Sequence, residues 1–232
     1  MEFNTNPFLP ANALKVSYEP LSFFEKFFEL QAVMWATNND LTGSHPFESR
    51  PWQWPFLSDQ GGIGFWSSNT TIVDLPASQL FFIGNPVVWW SGSLAIVAFM
   101  AIYVLYCILN QRGMVGRVEG IDHILFLISG WSLHYFPFFL MGRQLFFHHY
   151  LPSLYFSLLI VGGVIDVLLR RTRGSMKLSG IMKLLVSLLV GAVAYAFWAL
   201  APLTYGLEWD FLSCERTKWR TWAWDCAKYS KE

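Results

Sequence analysis

The residues best suited to chemistry lie in one short stretch, residues 142–152, which leads into an apolar run long enough to cross a bilayer. The stretch carries a permanent cation, Arg143, and two adjacent imidazoles, His148 and His149. A guanidinium and imidazole rings at the edge of a membrane can hold the phosphate of a membrane-embedded lipid. The alternative is an anchoring role, in which the same side chains contact lipid headgroups and fix the start of a helix.

Metal and disulfide chemistry have weaker support. Neighbouring residues on an α-helix diverge by about 100°, and His148 and His149 have no evident third ligand, so we predict no metal site. Cys107 lies in an apolar run, where it acts as a small hydrophobe. Cys214 and Cys226 share a polar tail and form a candidate disulfide, with two free thiols as the alternative.

The elements that must position these residues are membrane helices. The chain is 54% hydrophobic and 18% aromatic but only 14% charged, whereas ordinary soluble domains carry about 25% charged residues. The net charge of zero gives no support for a nucleic-acid partner. Soluble, disordered and disulfide-scaffold classes all fit this composition poorly.

Four segments reach the length of about 20 apolar residues that a spanning helix needs. They are residues 87–109, 121–141, 150–169 and 184–203. The sequence therefore predicts an all-α integral membrane protein, in which four transmembrane helices follow an amphipathic luminal helix and a loop-rich segment. The predicted domains are a luminal N-terminal segment (1–80), a four-helix transmembrane domain (81–206) and a luminal C-terminal tail (207–232).

Basic residues set the predicted orientation. Arg112 and Arg117 lie in the loop after the first span. The loop after the third span holds five more: Arg170, Arg171, Arg173, Lys177 and Lys183. The positive-inside rule makes both loops cytoplasmic, so both termini and residues 142–152 face the lumen or exterior.

The predicted orientation requires the first ~80 residues to cross the membrane, yet residues 1–13 lack the basic and apolar regions of a signal peptide. We therefore expect the chain to be the C-terminal piece of a larger polytopic protein. Direct export by the first span is the alternative.

The N-terminal segment carries three local signals. Residues 20–36 predict an amphipathic helix, in which Ser22 and Glu25 have the spacing of a capping box. This helix can lie on the membrane surface, or pack on a neighbouring domain or on the spans. Trp52 and Trp54 are spaced to anchor at the interface, and Asn69 opens a glycosylation sequon.

Polar residues within the spans favour structural roles. Asp122 and Asp166 sit at predicted cytoplasmic ends, and Asp166 lies four residues before Arg170, which allows a helix-face ion pair. His134 lies in mid-span, where we expect it to be buried, neutral and hydrogen-bonded. Pro137 is expected to kink the same helix.

Several blocks together resemble one family in their order and spacing. They are FEKFFELQ (24–31), NNDLTGSHP (38–46), SRPWQWP (49–55), GNPVVWW (84–90) and GRQLFFHHYLP (142–152). With the four-span pattern, they resemble the C-terminal four-span region of eukaryotic, especially fungal, protein O-mannosyltransferases. The resemblance covers about residues 16–206.

The resemblance implies an inverting glycosyltransferase of the endoplasmic reticulum membrane, which transfers mannose from dolichyl phosphate mannose to Ser or Thr of secretory proteins. It also implies a dimer with another mannosyltransferase. On this view Arg143, His148 and His149 are candidates to contact the phosphate or headgroup of the donor lipid. The donor is a substrate, and no cofactor is implied.

The family places an Asp-Glu pair in an N-terminal luminal loop, and that dipeptide does not occur in these 232 residues. No catalytic residue can therefore be carried over, and we expect the chain to be inactive in isolation. The first hypothesis is a part of a mannosyltransferase. The others are a catalytically silent membrane module that assembles with or regulates a complete enzyme, and, with less support, a small transporter.

Overall fold

The computed structural model describes residues 20–45, 47–58, 63–66, 80–207, 210–218 and 226. The chain divides into two compact units, Met1–Leu41 and Thr42–Glu232, which are described separately. The predicted division into segments 1–80, 81–206 and 207–232 stays a prediction.

In the first unit, helix α1 spans Phe23–Asp40 and confirms the predicted helix, although it ends four residues later than residue 36. The predicted capping box is also confirmed. The backbone N–H of Ser22 donates to Glu25 Oε2 at 2.8 Å, and the N–H of Glu25 donates to Ser22 Oγ at 3.4 Å. These bonds satisfy two donors that a helix start leaves open.

The second unit contains four helices that are long and apolar enough to span a membrane. They are α2 (Pro86–Gln111), α3 (Ile121–Tyr135, continued by a 3-10 helix over Phe136–Leu140), α4 (Leu151–Thr172, preceded by a 3-10 helix over Phe147–Tyr150) and α5 (Met176–Tyr205). The prediction of an all-α integral membrane fold with four transmembrane helices is confirmed.

Two span boundaries differ from the prediction for physical reasons. Helix α5 begins at Met176, well before residue 184, because Ser175 caps it by accepting a hydrogen bond from the N–H of Leu178. Its first turns carry lysines, so a count of apolar residues misses them. In α3 the α-helix already ends at Tyr135, and Pro137 lies in the 3-10 segment that follows rather than kinking a continuous helix.

Helix α4 is the centre of the bundle, because it packs against α2, α3 and α5. Ile96, Ile124 and Ile160 from the first three spans meet in a buried cluster. Close approach depends on two glycines. A Cβ at Gly92 would lie 2.5 Å from Ser157 Oγ, and one at Gly130 would collide with the Phe156 ring.

A short ladder and the C-terminal tail pack near the end of α5. Strands β1 (Ile63–Trp66) and β2 (Leu80–Ile83) pair antiparallel, which adds a small sheet to the segment that we expected to be loop-rich. Helix α6 spans Phe211–Thr217, and a disulfide joins Cys214 to Cys226. Both cysteines are fully buried with Leu200 and Leu203 in a cluster that Phe81 and Ile83 of β2 cover.

The loops after α2 and after α4 lie at the same end of the bundle. Gly120, at φ 92°, starts α3, and a Cβ there would lie 3.1 Å from Val167 near the end of α4. The predicted pair between Asp166 and Arg170 is confirmed at 2.8 Å. Asp122 pairs across the α2–α3 loop with Arg117 at 2.7 Å.

Candidate functional site

The start of α4 is built from the stretch that carries the candidate cation and imidazoles. The 3-10 helix Phe147–Tyr150 runs directly into α4, and Pro152 occupies the first turn of α4, where a helix needs no donor from it. His148 and His149 therefore belong to the rigid entrance of a span rather than to a loose loop.

The two imidazoles lie together. Their ring centroids are 4.5 Å apart at an interplanar angle of 23°, and the Phe146 ring stacks on His148 at 5.8 Å. The divergence of neighbouring helical positions fixes the Cβ directions but leaves the two rings free to turn towards each other.

His148 and His149 differ in exposure. His148 is exposed, whereas His149 is half-buried and its ring stacks against Trp54 at 6.3 Å. The Nδ1 atom of His149 lies 3.0 Å from the N of Phe146 and 2.9 Å from its O. This contact orients the His149 ring, so His148 is the imidazole of the pair that is more open to a ligand.

Arg143 is half-buried beside the same entrance, and its Nε donates to the carbonyl of Gln144 at 3.1 Å. A guanidinium keeps its charge under all physiological conditions. The structure thus places a fixed positive charge five residues before an exposed imidazole, at one end of α4.

An aromatic platform supports this entrance. We use the name for the buried residues of one cluster: Trp54, Leu57, Trp89, Tyr135, Leu145, Phe147, Tyr150 and Leu154. Phe147 stacks on Trp89 of α2 at 5.3 Å, and Tyr150 packs edge-on against Tyr135 of α3 at 5.6 Å. The platform therefore fixes the start of α4 against both neighbouring spans.

Residues 49–58 contribute Trp54 and Leu57 to the platform and are tied to its other members by hydrogen bonds. The N–H of Ser49 donates to the Leu145 carbonyl at 2.8 Å, and Trp54 Nε1 donates to Ser49 Oγ at 2.8 Å. The Tyr135 hydroxyl donates to the Pro51 carbonyl at 3.0 Å. This extramembrane segment is thus part of the same rigid body as the helix entrance.

Sequence reasoning misplaced one tryptophan and missed the platform. Trp52 is 59% exposed, as an interfacial residue can be, but Trp54 is 0% exposed and belongs to the core, so its prediction as an interfacial anchor is wrong. Pro51 and Pro55, on either side of the two tryptophans, were the available signal, because they force a compact turn that can turn one indole inwards.

His134 is also placed differently from the prediction. It is exposed rather than buried, and its ring lies 5.1 Å from the Phe156 ring of α4, so it sits at the edge of the α3–α4 contact. Its hydrogen bond is confirmed, with Nδ1 2.8 Å from the Gly130 carbonyl one turn earlier. The acids Asp122 and Asp166 lie far from it along the helices, paired with arginines, so these groups do not line a common path.

Within the described residues no group of three or more His, Cys, Asp or Glu side chains could hold a metal ion. The sequon at Asn69 lies outside the described residues. The disulfide between Cys214 and Cys226 lies in the cluster beside the end of α5, apart from the platform.

Four packed spans with an aromatic, cation-bearing entrance define a multi-pass membrane protein region. The family model for the C-terminal four TMM region of protein-O-mannosyltransferase matches residues 23–223. The chain therefore belongs to this family of mannosyltransferases.

Individual relatives agree. The chain is 34% identical to dolichyl-phosphate-mannose–protein mannosyltransferase 1 of Saccharomyces cerevisiae, over 99% of this chain and 27% of the relative. It is 33% identical to protein O-mannosyl-transferase 2 of Danio rerio, over 90% of this chain and 28% of the relative. The chain thus spans little more than a quarter of the length of these relatives.

A solved structure has the same fold. The S. cerevisiae protein O-mannosyltransferase Pmt1-Pmt2 complex bound to the sugar donor matches with a TM-score of 0.79 and 30% sequence identity. The match covers 98% of this chain and 30% of the matched chain.

Proposed function

We propose that this chain works as the C-terminal membrane part of a protein O-mannosyltransferase, which transfers mannose from dolichyl phosphate mannose to Ser or Thr of secretory proteins. The observation that carries the proposal is the family match over residues 23–223, with the same four-span fold in a mannosyltransferase complex. Transfer would take place on the side of the membrane that holds the start of α4.

We further propose that the chain lies in the endoplasmic reticulum membrane with both termini in the lumen. Two observations support this orientation: the basic loops share one end of the bundle, and Cys214 and Cys226 form a disulfide, which persists in oxidising compartments. Glycosylation at Asn69 tests the orientation, because the modifying machinery is luminal. If the parent chain carries a glycan that shifts its gel mobility and Asn69→Gln loses that shift, the luminal orientation is supported. If protease added outside intact microsomes cleaves the N-terminal segment of the chain, the luminal orientation is contradicted.

Catalysis is proposed to require groups outside these 232 residues. The family's acidic pair is absent from the sequence, and the carboxylates at the described ends of α3 and α4 are held by arginines. The isolated chain should therefore transfer no mannose to an acceptor peptide, whereas a complete enzyme that includes this region should. Transfer by the isolated chain would refute this part of the proposal.

The remaining role is contact with the donor phosphate at the start of α4. Arg143 supplies a fixed positive charge, and His148 supplies an exposed ring that His149 and Phe146 hold in place. A charge-assisted hydrogen bond from a guanidinium to a phosphate contributes about 1.5–3 kcal/mol. Loss of Arg143 should therefore weaken donor binding by about tenfold or more.

Binding of dolichyl phosphate to the chain in nanodiscs, followed by native mass spectrometry, tests this contact. We expect the affinity to fall in Arg143→Gln and less in His148→Gln, while Arg143→Lys keeps part of it. Arg112→Gln, at the other end of the bundle, is the matched control. Equal binding by Arg143→Gln and Arg112→Gln would remove the donor role and leave the anchoring role.

A silent module that assembles with a complete mannosyltransferase is the second candidate, because the matched solved structure is a complex of two mannosyltransferases. Co-purification separates the two. A part of an enzyme restores activity when it is joined to the missing N-terminal region. A silent module binds a complete enzyme and changes the rate of that enzyme without being joined to it.

A further inference from the structure

The turn between α4 and α5 gathers basic side chains that the proposed function does not use. We call it the basic hairpin and define it by four exposed residues, Arg170, Arg171, Arg173 and Lys177. It comprises the last turn of α4, the connection and the first turn of α5, whereas Arg143 precedes the start of α4. The 22 residues of α4 separate the two by about 33 Å.

The backbone of the hairpin is tightly held. The N–H of Ser175 donates to the Thr172 carbonyl at 3.0 Å, and Ser175 Oγ accepts from the N–H of Leu178 at 3.4 Å. Thr172 is 7% exposed and anchors the turn, whereas Gly174 has open space around it. The basic side chains therefore project from a short, ordered turn rather than from a flexible loop.

The positive charge of the hairpin is largely uncompensated. Arg170 pairs with Asp166 at 2.8 Å. No carboxylate among the residues that the structure describes pairs with Arg171, Arg173 or Lys177. The positive charge of the hairpin can therefore bind an anion from outside the chain.

The neighbouring loop at the same end behaves differently. There the two basic residues Arg112 and Arg117 are matched in number by Glu119 and Asp122. Arg117 forms an ion pair with Asp122, and Glu119 interacts electrostatically with Arg170 of the hairpin. Excess positive charge at this end of the bundle thus belongs to the α4–α5 turn. The positive-inside rule requires basic residues on one side of the membrane, but it does not by itself require the excess charge to lie in the α4–α5 turn.

The surroundings favour a lipid as the source of that anion. The hairpin lies where two spanning helices leave the apolar phase, so headgroups are its natural neighbours. Met176, which sits among the basic residues, is 94% exposed, and Leu178 is 47% exposed. A ligand with an anionic head and an apolar tail matches this mixture, whereas a soluble anion or an acidic peptide leaves the apolar side chains in water.

We propose that the basic hairpin binds the headgroup of an anionic glycerophospholipid, with Arg171, Arg173 and Lys177 contacting its phosphate and any further acidic group. Zwitterionic lipids give these residues no net attraction. The proposal does not depend on the donor role of Arg143, because the two sites lie at opposite ends of α4.

The test uses the whole chain in nanodiscs of phosphatidylcholine containing a small fraction of phosphatidylserine, with retained lipid measured by native mass spectrometry. A basic residue near an anionic surface contributes about 1 kcal/mol, which corresponds to roughly fivefold in affinity. The variant Arg171→Gln/Arg173→Gln/Lys177→Gln should therefore lose about 100-fold in affinity for phosphatidylserine. Arg112→Gln, at the same end, removes one such residue outside the hairpin and should lose no more than about fivefold.

Two further arms make the result decisive. Arg171→Lys/Arg173→Lys keeps the charge and should keep binding, which excludes a loss caused by misfolding. Soluble glycerophosphoserine should compete poorly if the ligand is a membrane lipid. Unchanged phosphatidylserine retention in the triple glutamine variant overturns the proposal. So does full competition by the soluble headgroup, or displacement of the lipid by an acidic peptide at equal concentration.

Discussion

The contact between Gly92 and Ser157 gives the sharpest test of how the spans pack. A Cβ added at Gly92 would lie 2.5 Å from Ser157 Oγ and 3.0 Å from Ser157 Cβ, while ordinary contact begins at 3.4 Å. The Ser157 hydroxyl cannot swing away at no cost, because it donates to the Leu154 carbonyl at 2.7 Å. Gly92→Ala must therefore push α2 and α4 apart or break that bond.

The expected loss of free energy of unfolding in Gly92→Ala can be estimated for both outcomes, separation of the helices and loss of the hydrogen bond. Overpacking a tight site costs about 1–3 kcal/mol, and a lost hydrogen bond costs about 0.5–1.5 kcal/mol. We expect Gly92→Ala to lower the free energy of unfolding by about 2 kcal/mol. Gly162 on α4 is the matched control, since nothing lies within 4 Å of an added Cβ there. Gly162→Ala should raise the free energy of unfolding by about 0.5–1 kcal/mol through helix propensity alone.

Unfolding in mixed micelles by increasing sodium dodecyl sulfate, followed by tryptophan fluorescence, measures both variants. A double-mutant cycle with Ser157→Gly removes both atoms that the new Cβ would meet, so most of the Gly92→Ala penalty should disappear in that background. If the penalty is unchanged by Ser157→Gly, or if Gly92→Ala is as stable as the parent chain, the close approach of α2 and α4 is wrong.

Three further predictions follow from features outside this contact. Replacing Cys214 and Cys226 with Ser should lower the free energy of unfolding by about 2–4 kcal/mol by the chain-entropy estimate. The variant's tail should also become sensitive to limited proteolysis. Equal protease resistance in the parent and the variant would contradict this. Trp54→Phe leaves the buried Ser49 hydroxyl without its donor, so it should lower the midpoint of thermal unfolding, whereas Trp52→Phe should not; equal midpoints would count against the platform. Hydrogen bonds from Ser22 lower the pKa of the Glu25 carboxyl group; the bond to the Ser22 side chain is the larger cause and the bond to the Ser22 backbone N–H the smaller. The capping box should therefore stabilise α1 fully at pH values above the ordinary pKa of a Glu side chain. This stabilisation should be lost as the pH falls through the lowered pKa of Glu25. NMR chemical shifts of residues 22–26 should show this loss, and Glu25→Gln should abolish the pH dependence.

Local signals in the sequence were enough to predict several parts of the structure. The spans follow from composition and length, the start of α1 from the spacing of Ser22 and Glu25, and the Asp166–Arg170 pair from one turn of helix. Each of these depends on residues that are close along the chain, so no knowledge of the bundle is needed.

Contacts between distant residues could not be predicted in this way. A membrane helix is apolar on its lipid side as well as on its core side, so periodicity does not show how deeply a residue is buried. His134, which we expected to be buried, is exposed. The burial of Trp54 depends on residues 49–58 folding back onto Tyr135 and Leu145, which lie far along the chain. The stacking of His148 on His149 depends on side-chain torsions that the backbone pattern leaves open.

The central position of α4 has a consequence for how the chain is made. Helices α2 and α3 meet chiefly through α4, which supplies Ser157 to Gly92 and Phe156 to Gly130. Synthesis delivers α4 last of the three, so the first two spans leave the ribosome before their common partner does. The bundle therefore closes when the third span arrives, rather than growing one helix at a time. A chain cut after α3 would insert two helices and lack the element that holds them together.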